Sequence, residues 1–130
     1  IVKFPEGVLK QILDGGPPKG DLFATARIAG IQGAKNTPDW IPLSHIVQVT
    51  HVNVELDPDP DQDQIRIEST VRASDATGVE MEALTAVNAA ALTLYDMCKS
   101  EHKGIVITNT RLLHKQGGKS GTWTVNDKEI

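Results

Sequence analysis

The sequence predicts an α+β domain in which two main helices pack on one face of an antiparallel sheet. Three observations carry that expectation. In residues 77–99, Leu84, Val87, Ala91, Leu94 and Cys98 recur at steps of three and four, the spacing of one helix stripe. Residues 47–56 and 65–73 each alternate apolar and polar side chains, as strands with one buried face do. The chain has 130 residues, 39% apolar and 23% charged, which suits one globular domain with a real core.

Taken in order, residues 1–4 read as the tail of a strand, one that is shortened or lost ahead of Phe4. Pro5 and Glu6 then open a short helix with Val8, Leu9, Ile12 and Leu13 inward, stopped by the Gly/Pro block 14–18. Asp21 is placed to cap the helix LFATARIAGIQGAK, whose small residues suit tight packing although Gly30 and Gly33 lower its propensity. Residues 36–39 end or kink it, and Trp40 to His45 form a connection in which Pro42 disfavours helix at Ile41. Val47, Val49, Val52, Val54 and Leu56 alternate around a slip near His51, the mark of a strand with a bulge. The acidic run DPDPDQDQ, 57–64, is expected to be an exposed hairpin loop, and it lacks the central Gly and closing Glu of an EF-hand. Ile65, Ile67, Ser69, Val71 and Ala73 then alternate with Arg66, Glu68, Thr70 and Arg72 in the return strand. Thr77 with Glu80 three residues on reads as a capping box for the long helix, and Glu80 and Glu82 suit its macrodipole. IVITNTRLLH is expected to be a further strand, and the domain to close by residue 122 with 123–130 as a tail. This order of elements is that of a ferredoxin-like plait, whose second sheet face is expected to be covered in an oligomer.

Composition excludes several classes. A net charge of −4 without a basic arm or stripe argues against a general nucleic-acid binder, and no apolar run approaches the roughly 18 residues of a spanning helix. The single cysteine, Cys98, cannot form an internal disulfide and points to a reducing compartment. The four histidines show no metal-ligand spacing, and no residue set in the sequence demands a metal.

The chemistry-bearing residues each have an ordinary alternative. Asp96 and Lys99 stand three apart, which is an exposed helix ion pair or a carboxylate tuned for proton transfer. GGKSG lacks the first glycine and following helix of a P-loop; it is a surface turn or, with Lys115, Lys119 and Arg111, an anion clamp. Ser44 and His45 adjoin in a connection, but no orienting acid can be assigned to make them a hydrolase pair.

Together, the segments PKGDLFATARIAGIQGAK, IPLSH, TGVEMEALTA, ALTLYDMCK and RLLHKQGGKSG, in this order across about residues 19–121, closely resemble MoaC, the cyclic pyranopterin monophosphate synthase family of molybdenum cofactor biosynthesis. EMEALT and LYDMCK are specific to that family. The resemblance implies a homohexamer, a trimer of dimers with active sites between subunits, in the cytoplasm or, in a eukaryote, the mitochondrial matrix. It implies a lyase that takes 3′,8-cyclo-7,8-dihydro-GTP, made upstream from GTP by a radical enzyme, and yields cyclic pyranopterin monophosphate and pyrophosphate. It implies Asp96, Lys99 and Lys19 as catalytic residues, and Leu43, Ser44, His45, Met81 and Glu82 as substrate-binding, with Glu80, Lys115 and Lys119 in support. Arg27, Lys115, Lys119 and His45 are candidates for a phosphate clamp. The competing expectation is a nucleotide-binding or purely oligomeric scaffold without turnover. The chain departs from the family where Ser44 and Ile46 replace a usual Cys and Pro, which excludes a thiol nucleophile at that position.

Overall fold

In the computed structural model the chain is described over residues 1–15, 20–74 and 77–126. Its elements are β1 (Val2–Lys3), α1 (Val8–Gly15), α2 (Leu22–Lys35), α3 (Thr37–Trp40), β2 (Val49–Asp59), β3 (Gln64–Ala73), α4 (Glu80–Cys98), β4 (Val106–Ile107), β5 (His114–Lys115) and β6 (Trp123–Thr124). The first four strands form one antiparallel sheet in the order β2-β3-β1-β4, and β5 pairs with β6 separately.

The central hairpin fixes the helix layer. Val54 and Ser69 stand opposite one another across β2 and β3, so they share a sheet face. Val54 packs against Gly30 of α2, and Ser69 Oγ donates to Ala83 O of α4 at 2.7 Å. Both helices therefore lie on that face. Between them sits the core of Val2, Phe4, Leu9, Ile12, Leu22, Val54, Ile65, Leu94 and Met97. On the outer face Asp57, Glu55, Asn53 and His51 oppose Arg66, Glu68, Thr70 and Arg72. The predicted bulge is present as a register shift between Val49 and His51.

Asp21 caps α2 as expected, its Oδ1 accepting from the Ala24 N–H at 3.0 Å. The glycines of α2 have a packing role. A Cβ on Gly33 would come within 2.8 Å of Ala89 Cβ and 3.1 Å of Thr85 O, so α2 and α4 approach at a distance that only hydrogen permits.

Three expectations are corrected. The acidic hairpin loop is shorter than the sequence suggests: β2 runs on through Asp59 with Pro58 opposite Ile65, because β2 is an edge strand and needs no N–H there. Asp63, with φ of +51°, then makes the turn, and its carboxylate accepts from the Gly7 N–H. The capping box does not form. Val79 holds the N-cap position without a side-chain bond, and the Glu80 carboxylate folds over Gly78 instead. The strand expected in IVITNTRLLH is confined to Val106–Ile107, because Asn109 adopts a left-handed conformation (φ +54°) that ends it. The chain resumes pairing at His114–Lys115, against Trp123–Thr124, and the buried Val125 donates its N–H to Leu113 O.

Candidate functional site

Helix α4 presents candidate residues at both ends. Burial of Leu94, Met97 and Cys98 turns Asp96 and Lys99 outward, and Lys99 Nζ donates to Asp96 Oδ1 at 2.7 Å. Both side chains are about half exposed. This hydrogen bond, then the Asp96 charge, holds the Lys99 ammonium above the usual lysine range, so it stays protonated at neutral pH. Tyr95 OH donates to Lys103 O at 2.9 Å and anchors the chain where it leaves the helix.

At the other end stand Glu80, Met81 and Glu82. Met81 is exposed, whereas Glu82 is buried to 4% exposure, although it lies off the stripe of Leu84, Val87, Ala91, Leu94 and Cys98. The reason lies in a second stripe, Glu82, Thr85, Ala86 and Ala89, whose small residues lie where α2 comes close. Burial raises the Glu82 carboxyl above the usual range; its own backbone N–H opposes this, and the Glu80 charge adds to it.

The GGKSG turn belongs to this same end. Gly117, Gly118 and Gly121 take positive φ, and a Cβ on Gly118 would lie 3.4 Å from Gly78 N, just ahead of α4. Lys115 Nζ folds into the turn, donating to Ser120 Oγ at 2.6 Å and Gly117 O at 3.1 Å, and Lys119 stands exposed on it. Glu80 and Lys115 border one cleft of about 900 Å³ between β3, α4 and residues 109–117. Its floor includes Ile67, Val71, Leu84 and Val87, and Arg66, Arg72 and Arg111 stand along it. Arg66 and Arg72 are functional candidates that sequence reasoning passed over, since alternation marks them only as the polar side of a strand.

The connection after α3 exposes Leu43 (92%), Ile46 (88%) and His45. Ser44 Oγ turns to His45 O at 3.4 Å, not to the imidazole, so no nucleophile–base pair forms. Arg27 commits its Nε to Val54 O at 3.0 Å, which ties α2 to β2. Lys19 lies outside the described residues. Among those described, no three His, Cys, Asp or Glu side chains gather as a metal site.

One separation governs everything else. Glu82 and Asp96 stand fourteen positions apart on the helix, about 21 Å of axis, so one chain pairs Asp96 with Lys99 and lines one cleft with Glu80 and Lys115 but does not join the two groups.

The fold is an α+β domain with a carboxylate–ammonium pair at one end of its long helix and a lysine-bearing glycine turn at the other. No helix among the described residues is long and apolar enough to cross a membrane. Residues 1–118 match the model of the MoaC family, and the chain belongs to that family, which acts in molybdenum cofactor biosynthesis and comprises the cyclic pyranopterin monophosphate synthases.

Proposed function

We propose that the protein converts 3′,8-cyclo-7,8-dihydro-GTP to cyclic pyranopterin monophosphate with release of pyrophosphate, as a cytoplasmic enzyme with a ferredoxin-like plait. The observation that carries this is the half-exposed Asp96–Lys99 pair of a chain that belongs to the MoaC family. Opening the reduced purine and closing the pterin ring move protons on and off nitrogen and oxygen. Asp96, held in position by Lys99, serves as the acid/base, and Lys99, protonated at neutral pH, supplies a proton or a positive charge. Lys19 is the third catalytic group of this proposal.

Closing the cyclic phosphate requires a sugar hydroxyl to attack the α-phosphorus as the bond to pyrophosphate breaks, and cations must meet the spreading negative charge. Lys115, Lys119 and His45 supply them; Arg27 contributes less, since its Nε already serves Val54 O. Leu43, Ser44, Met81 and Glu82 contact the base and sugar, with Glu80 in support. A Mg²⁺ ion accompanies the triphosphate if one takes part.

The 21 Å between the two ends of α4 supports a site shared between copies of the chain. A site that uses both ends draws Asp96 and Lys99 from one copy and Met81 and Glu82 from another, in keeping with a homohexamer built as a trimer of dimers.

Incubation with the cyclo-dihydro-GTP substrate tests the reaction, with pyrophosphate and the pyranopterin product measured. Absence of both from folded oligomer would leave a nucleotide-binding scaffold. Asp96→Asn is expected to lower turnover by at least about a hundredfold with oligomer size unchanged; near wild-type turnover would refute the acid/base role.

A further inference from the structure

One hydroxyl ties the connection that carries Leu43, Ser44 and His45 to the helix layer. Thr37 is fully buried where α2 gives way to α3, and its Oγ1 lies 3.0 Å from Gly33 O and 3.1 Å from Ala34 O. In a continuing helix Ala34 O would accept from the N–H four residues on, but that residue is Pro38, which has none. The Thr37 hydroxyl supplies the donor instead. Its acceptors are themselves fixed, because a Cβ on Gly33 would come within 2.8 Å of Ala89 Cβ on α4.

The backbone carries this tie outward. Thr37 O accepts from the Ile41 N–H at 3.0 Å, and Ile41 O from the Ser44 N–H at 3.1 Å, so the bonds reach the residue before His45. Packing constrains the segment less. Trp40 borders a hollow of about 270 Å³ with Gln32, Ala89 and Leu92, and beyond it Leu43 and Ile46 are exposed.

We infer that Thr37 is a positioning residue for the substrate-binding connection, setting where residues 41–46 leave the helix layer and hence where Ser44 and His45 stand. The inference rests on the proposed role of that connection in holding substrate. A side chain of the same shape without the hydroxyl leaves two carbonyls at the buried end of α2 short of a donor, and α3 must shift to find others. The Asp96–Lys99 bond involves neither α3 nor the connection. The connection meets substrate before and during reaction alike, so the loss falls on KM.

The test compares Thr37→Val, which keeps the shape, with Thr37→Ser, which keeps the hydroxyl. In Thr37→Val the Ile41 and Ser44 amides are expected to exchange about tenfold faster relative to those of α4. KM for the cyclo-dihydro-GTP substrate is expected to rise about tenfold, with kcat within about twofold of wild type. Thr37→Ser is expected to match wild type in both. Unchanged relative exchange in Thr37→Val would overturn the inference, as would equal losses in the two variants. So would faster exchange with an unchanged KM, which would make Thr37 a structural residue only. Wild-type protein without turnover would refute the lyase reading, and affinity for inorganic triphosphate, measured by calorimetry, then replaces KM with the same expectation. No binding by wild type would overturn the inference too.

Discussion

Glu82 sets stability against the substrate contact proposed for it. Its carboxyl is raised above 4.5 chiefly by burial. A group with a raised folded pKa contributes stability that is whole below its unfolded value and is lost as pH rises through the folded one. Glu82→Gln keeps the shape and removes the charge, so the variant is expected to melt higher than wild type at pH 7 and at nearly the same temperature at pH 4. Thermal melts at the two values check this. If Glu82 binds substrate, the same change raises KM, a trade common where function requires a buried charge. Cys98 is simpler: burial, then the Glu101 charge, pushes its thiol up to about 11. At pH 8 the native protein is expected to react with a thiol reagent about a hundredfold more slowly than the denatured chain, as timed labelling will show.

At the scale of elements, the predicted stripe of α4 is buried only at Ala91, Leu94 and Cys98, whereas Leu84 and Val87 stand half-buried at the cleft. Leu94 and Cys98 announce burial by themselves, and Leu94→Ala is expected to cost about 2–5 kcal/mol in denaturant unfolding. Thr85, Ala86 and Ala89 announce nothing, because small residues read as inward only once the glycines of α2 are known to face them. For the same reason nothing in the sequence marks Glu82 as buried. Gly30 and Gly33 looked like weaknesses in α2 and are conditions of its packing. Gly33→Ala is expected to destabilise by about 1–3 kcal/mol, since the added methyl meets Ala89 and the Thr85 carbonyl. The short β4 was hidden because IVITNTRLLH has strand composition throughout, and one left-handed residue, Asn109, overrides it.

For the whole molecule, the Asp96–Lys99 contact could be inferred from an i,i+3 spacing, whereas the cleft could not, since it depends on how β3, α4 and residues 109–117 come together. The proposed division of the site along α4 makes a prediction at this scale. Asp96→Asn and Met81→Ala chains, each inactive alone, are expected to regain activity when unfolded and refolded as an equal mixture. Half the pairs are then mixed and one of their two sites is intact, so about a quarter of wild-type activity returns. Equal inactivity of the mixture would place both groups within one chain's site.

The edge strand β2 ends in Asp57, Pro58 and Asp59. A nascent chain exposes this edge before anything covers it, and bare edges recruit one another. Here a missing N–H and two negative charges deny a neighbouring chain both the donor and the close approach that cross-chain pairing requires. The acidic tip of the hairpin thus acts as a gatekeeper for the β2 edge.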